Sequence, residues 1–192
     1  MNRFFITLVC CLTLAACGGV PLRSVPRLMQ LSGELLDANP SEFMLALQVD
    51  ARLVPPVGAV PMLVLKLQPR EAGAFEPVDK KLPLQVTELS GAGLGLAKPA
   101  ASRRWLLYSM PRATQLELQR IQTTIRQAKA KTDGKSGGSL SVGIEQNSLA
   151  VTEPGLANTR WDTWLQTRKV DGFFEVWSGT PAQLQQMAGQ AK

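Results

Sequence analysis

The sequence predicts an α+β domain: an antiparallel β-sheet or β-sandwich carrying one long helix, about 112–131, and short C-terminal helices. Three observations predict it. Several short segments alternate apolar and polar residues between proline- and glycine-rich breaks, the period-2 pattern of half-buried strands. One segment places apolar residues at three- and four-residue steps. The strand-like segments also lack the βαβ alternation that a parallel sheet requires.

The strands come first. Phe43, Leu45, Leu47, Val49, Ala51 and Leu53 alternate with a set that becomes polar at Gln48, Asp50 and Arg52. Between Met62 and Leu67, the side chains of Leu63, Leu65 and Leu67 share one face and Lys66 lies on the other. Leu28 to Leu36 and Leu82 to Leu89 are weaker strand candidates, and Trp105 to Met110 is a short one. Pro55-Pro56, Pro69, Gly73 and the glycines from Gly91 to Gly95 supply the connections.

The long helix follows. Pro111 suits a first helical turn, and Thr114-x-x-Glu117 has capping-box spacing. Leu118, Ile121, Ile125 and Ala128 form a narrow apolar stripe. Asp133 to Gly138 is a loop, after which Leu140, Val142 and Ile144 alternate as a strand. Gln146-Asn147-Ser148 allows a turn before Leu149 and Val151. The spacing of Trp161, Trp164, Leu165 and Arg168 predicts a short helix ending near Asp171-Gly172. Phe173 to Trp177 is expected as a strand, and Thr180-Pro181 opens a C-terminal helix with Gln183 in capping-box position.

The chain of 192 residues begins differently. Arg3 precedes an apolar run, Phe4 to Leu14, of about eleven residues, short of the ~20 that cross a bilayer as a helix. Leu14-Ala15-Ala16-Cys17 closes it. This register of charge, apolar run, small residues and cysteine resembles a bacterial lipoprotein signal. The resemblance implies removal of residues 1–16, acylation of Cys17 and attachment to the membrane through its lipid. Gly18 stands where an aspartate commonly marks inner-membrane retention in that family, so the outer membrane is the implied address. Residues 17–26, with Gly18-Gly19, Pro21 and Pro26, form the lipidated N-terminus and a tether reaching roughly 30 Å. Residues 27–192 then form a single periplasmic globular domain, about 165 residues being ample for one core. Cys10 and Cys11 would leave with the signal, so no disulfide is expected.

The formal charge is +6. Arg103, Arg104, Arg112, Arg120, Arg126, Lys129, Lys131 and Lys135, set against Glu117 and Asp133, place all of that excess in one segment. An exported protein makes nucleic acid an unexpected partner, and anionic lipid or cell wall supplies the counter-charge.

Motifs for catalysis fail on their context. Gly134-Lys135-Ser136-Gly137-Gly138 satisfies G-x-S-x-G, but helix and strand flank it in the wrong order and the chain has no histidine to act as the usual base. As a phosphate loop the same residues lack the first glycine, since Lys129 stands there. Gly91-Ala92-Gly93-Leu94-Gly95 lacks dinucleotide-loop spacing. Scattered carboxylates select neither a metal site nor a catalytic pair. No catalytic residue, metal ligand or cofactor is therefore expected.

Two surfaces remain as candidates: the basic helix, with Arg112, Arg120, Arg126 and Lys129, and an aromatic platform with Trp161 and Trp164 on one helix face. The expected function is a non-enzymatic outer-membrane lipoprotein acting as a periplasmic interaction or assembly module, with an envelope protein or the cell wall as partner. A lipid- or apolar-ligand-binding domain is the alternative and would need a cavity of several hundred Å³.

Overall fold

The computed structural model describes residues 21, 24–27, 37–54, 58, 60–70, 73, 75–89, 92–131, 138–145 and 154–183. Eight strands and one long helix organise them: β1 (Met44–Asp50), β2 (Met62–Pro69), β3 (Val78–Pro83), β4 (Gln85–Leu89), β5 (Arg103–Ser109), α1 (Arg112–Lys131), β6 (Gly138–Glu145), β7 (Trp161–Gln166) and β8 (Phe174–Gly179). They form a five-stranded sheet, β4-β5-β1-β7-β8, and a three-stranded sheet, β3-β2-β6. All their pairings are antiparallel. The α+β class predicted from the sequence is the class observed.

The main core forms where the two sheets and the helix meet. Leu47 and Val49 of β1, Leu106 and Tyr108 of β5 and Leu165 of β7 pack with Leu63, Leu65 and Leu67 of β2. Leu118, Ile121 and Ile125 of α1 join the same cluster. Val49 and Leu106 are 0% exposed, and burying such a side chain contributes about 1.5–3 kcal/mol. The five-stranded sheet also buries part of its other face. There Ala46, Trp105 and Leu107 pack with Leu96, which arrives on the turn from Gly93 to Leu96. Trp105 Nε1 donates to the Ala97 carbonyl at 3.0 Å and fastens that turn to the sheet. The glycine segment singled out in the sequence is thus a covering loop over its described residues, with Gly95 at φ +83°.

Most expected strands fall in place, but two segments differ. Leu82 to Leu89 is two strands, because Leu84 leaves the pairing and its N–H donates to the Pro61 carbonyl at 2.8 Å. Trp161 to Gln166 is the strand β7 rather than a helix. The three-residue tryptophan spacing suits a helical stripe, yet β7 lies between β1 and β8 in a sheet covered on both faces. Both of its faces are therefore largely buried, with Trp164 standing between Asp162 and Gln166 on one of them, which erases the alternation that marks a half-buried strand.

The helix spans 112–131 as the periodicity predicts, but its cap differs. The Pro111 carbonyl accepts the Gln115 N–H at 3.0 Å, so α1 starts before Thr114. The Thr114 hydroxyl, 1% exposed, instead donates to the Pro83 carbonyl at 2.6 Å and ties the first turn to the end of β3. At the other capping-box site the spacing is realised. Thr180 N–H donates to Gln183 Oε1 at 2.8 Å, and Gln183 N–H donates to Thr180 Oγ1 at 3.3 Å.

Ser24 to Arg27 is helical rather than part of an irregular tether, and the Arg27 guanidinium sits 5.2 Å from the centre of the Phe174 ring. A cation over an aromatic face at an exposed site gains about 0.5–1 kcal/mol, a small part of what ordering the segment costs. Residues 1–20 with Cys17, the Leu28–Leu36 strand candidate, the 132–137 loop, and Leu149 with Val151 lie outside the described residues.

Candidate functional site

Arg112, Arg120, Arg126 and Lys129 of α1 stand on its solvent side because Leu118, Ile121 and Ile125 commit the opposite side to the core. Arg112, Arg120, Arg126 and Lys129 are all exposed. At 100° per residue they spread around the helix rather than forming one line. Arg120, with 81% of its side chain exposed, lies 3.9 Å from Glu117. Arg126 donates to the Gln122 carbonyl and the Thr123 hydroxyl, both at 3.4 Å.

The orientation of α1 follows from its anchors. Thr114 reaches Pro83, and Glu117 Oε1 lies 3.3 Å from Nζ of Lys80. Moving along the helix thus moves backwards along β3, and the Glu117 flank overlies that strand. Gln122, Arg126 and Lys129 lie 120–180° around the helix from Glu117 by the ~100° step per residue. They occupy the flank turned away from β3, where buried Gln122 donates from Nε2 to the Ala38 carbonyl at 2.9 Å.

The aromatic platform is not formed. Trp161 and Trp164 point to opposite faces of β7, as residues an odd number apart on a strand must. Trp161 is 7% exposed and belongs to the main core, where Phe174 and Trp177 pack against it. Trp164 is half-buried on the other face and meets Trp105 edge-on, with ring centroids 6.4 Å apart and planes at 87°. These aromatics hold the five-stranded sheet between its two covering layers.

A polar cluster on that second face was not visible in the sequence. Asp162 lies beside Gln48 of β1, whose other neighbour is Trp105. Its carboxylate accepts from Arg103 Nη1 at 2.5 Å, Ser178 Oγ at 2.6 Å and Arg160 Nε at 2.8 Å. Arg103 Nη2 also donates to the carbonyls of Gln48 at 2.6 Å and Arg160 at 2.8 Å. One guanidinium therefore links β5, β1 and β7. Burial pushes the Asp162 pKa up, but the hydrogen bonds from Ser178, Arg103 and Arg160 outweigh it and hold the carboxyl below its ordinary range. Nearby, Asp50 is brought down to about 2, first by the side-chain hydrogen bonds of Arg52 and then by the Arg52 backbone N–H. The cluster saturates its carboxylate with protein donors, which is the chemistry of a clamp between strands.

A crevice opens between α1 and the three-stranded sheet. Leu118, Ile121 and Ile125 line one wall, and Leu63, Leu65, Leu67, Leu140 and Val142 the other, with Phe43 and Met110 at its end. It encloses about 20 Å³, room for roughly one water and far below the size of a lipid or drug-like ligand. Val142 remains 38% exposed beside it.

Among the described residues no helix is long and apolar enough to cross a membrane, and no three His, Cys, Asp or Glu residues gather as a metal site. The G-x-S-x-G residues lie outside the described residues apart from Gly138, which begins β6. A Cβ there would come within 2.6 Å of the Gln68 carbonyl, so this glycine serves strand packing. No protein-family model, curated protein or solved structure matches the chain.

Proposed function

We propose that the chain is a non-enzymatic lipoprotein of the outer membrane, anchored through acylated Cys17, whose α+β domain faces the periplasm as an interaction or assembly module. The observation that carries this reading is the N-terminal register of Arg3, the Phe4–Leu14 apolar run and Leu14-Ala15-Ala16-Cys17. The apolar run is too short to be a spanning helix, and two acyl signals on one cysteine suffice for stable attachment. The absence of histidine from the whole sequence removes the commonest proton carrier of hydrolytic sites. The solvent-facing cations of α1 offer a surface to an anionic partner.

Metabolic labelling with an alkyne fatty acid tests the anchor. The native chain is expected to take up label and sediment with outer membranes, and Cys17→Ser to lose both. Label that persists in Cys17→Ser would refute acylation at Cys17. A photocrosslinking side chain at Arg126 is expected to trap an envelope component, and the absence of adducts from any exposed position on α1 would count against an interaction module.

A further inference from the structure

The proposed anchor leaves little free chain. Pro21 and Ser24 to Arg27 open the described residues. Ser24 is 3% exposed, and its N–H donates to the Pro21 carbonyl at 2.8 Å. The Arg27 guanidinium stands 5.2 Å from the centre of the Phe174 ring, so this segment lies against the first residue of β8. From Pro21 back to Cys17 is four residues, at most ~14 Å of chain. A lipid on Cys17 would therefore hold this end of the five-stranded sheet close to the membrane.

The loop from Thr167 to Phe173 joins β7 to β8 at the same end. Its own hydrogen bonds frame it: the Asp171 N–H donates to the Arg168 carbonyl at 3.2 Å, and the Gly172 N–H to the Lys169 carbonyl at 3.3 Å. Glu42, just ahead of β1, accepts the Lys169 N–H at 2.8 Å and braces the loop from outside. This frame holds Val170 in solvent, 86% exposed, more than any other large apolar side chain among the described residues. A lone exposed valine is ordinary, but the surroundings of this one are not. Arg168 and Lys169 precede it, both exposed, and Val25 on the Arg27 segment is 38% exposed. Arg27, Arg168 and Lys169 outnumber Glu42 and Asp171, the latter accepting from Arg168 at 2.6 Å. Val170 is four residues from Phe174, so their backbones lie within ~14 Å. An apolar tip among cations, beside the segment that leads to the anchor, suits the interface of an anionic membrane.

We propose that the β7–β8 loop, with Val170 at its tip and Lys169 and Arg27 beside it, is the surface on which the domain rests on an anionic phospholipid membrane. Val170 enters the headgroup layer, and the cations lie among the phosphates. The acyl anchor keeps the loop at high local concentration over the bilayer, so a contact too weak to hold a free protein suffices to orient a tethered one. The rival surface is α1, where Leu116, 50% exposed, stands between Arg112 and Arg120. The Arg27–Phe174 contact favours the loop, because it ties the anchored segment to β8. The inference names the membrane-facing side of the lipoprotein proposed above and rests on that reading.

The test uses the chain purified from membranes and reconstituted into phosphatidylethanolamine–phosphatidylglycerol vesicles that carry nitroxide-labelled lipid. Val170→Cys or Leu116→Cys, both at exposed positions, takes a bimane fluorophore on the one free thiol of an acylated chain. The expected result is strong quenching at position 170 and little at 116. Adding Lys169→Gln to Val170→Cys should lower the docked-to-free ratio about fivefold, the weight of one cation near a charged membrane. Vesicles of phosphatidylcholine alone should lower it further. Circular dichroism checks that each variant is folded.

An unquenched label at position 170 overturns the proposal, and so does quenching at 116 that equals or exceeds it, which would assign the membrane contact to α1. A docked-to-free ratio that neither Lys169→Gln nor phosphatidylcholine changes overturns it as well. The intact mass of the purified chain separates the two readings. A chain without acyl mass removes the lipoprotein reading and this inference with it, whereas an acylated chain left unquenched at 170 removes this inference alone.

Discussion

Removing the Asp162 carboxylate should unlock the second face of the five-stranded sheet. Asp162→Ala leaves Arg103, with 16% of its side chain exposed, without its closest acceptor, although the carbonyls of Gln48 and Arg160 remain. Breaking a buried pair from one side costs about 3–5 kcal/mol, and the residual exposure of both groups reduces this to about 2–3. Losing the Ser178 acceptor adds about 1 kcal/mol, while Arg160, with 68% of its side chain exposed, adds little. The expected destabilisation is about 3 kcal/mol. Urea unfolding followed by tryptophan fluorescence measures it. With a slope of about 2 kcal/mol/M, the midpoint should fall by about 1.5 M. The double variant Arg103→Met/Asp162→Leu, which removes both charges, should recover most of the loss. A fall below about 0.5 M in Asp162→Ala, or a double variant no better than the single one, would refute the clamp.

The same carboxylates predict how stability depends on acid. Asp162 and Asp50 both titrate below their unfolded value near 3.9, so between the folded and unfolded pKa values the unfolded chain binds more protons. Their contribution is present above the unfolded value and is lost as pH falls through the folded one, which for Asp50 is about 2. Urea midpoints at pH 6, 4 and 3 should show this, with a shallower fall in Asp162→Asn. Leu106→Ala, at a fully buried position in β5, should cost about 2–5 kcal/mol by calorimetry or urea. Lys66→Ala, whose partner Asp79 stands 3.7 Å away with both side chains more than half exposed, should change stability by less than about 1 kcal/mol. Thr180→Ala loses one half of the C-terminal capping box and should cost about 1 kcal/mol by the same measurement.

The elements that local physics dictates were legible in the chain. The apolar steps Leu118, Ile121 and Ile125 mark α1 because each residue lies on the same helical face as the next. The alternation around Leu63, Leu65 and Leu67 marks β2 because one of its faces meets water. Thr180 and Gln183 announce their own turn, since both partners of the cap lie three residues apart. The N-terminal register that closes at Cys17, on which the proposed anchor rests, is likewise a linear pattern.

Tertiary structure decided the rest, wherever the decisive partner is distant or the face count is two. Thr114 has capping spacing, but a carbonyl at Pro83 takes its hydroxyl. Trp161 and Trp164 have helical spacing, but pairing with β1 and β8 draws them into a strand whose two faces are both buried. Asp162 is one scattered carboxylate in the sequence. Only the sheet brings it to Arg103, 59 residues away, and to Ser178.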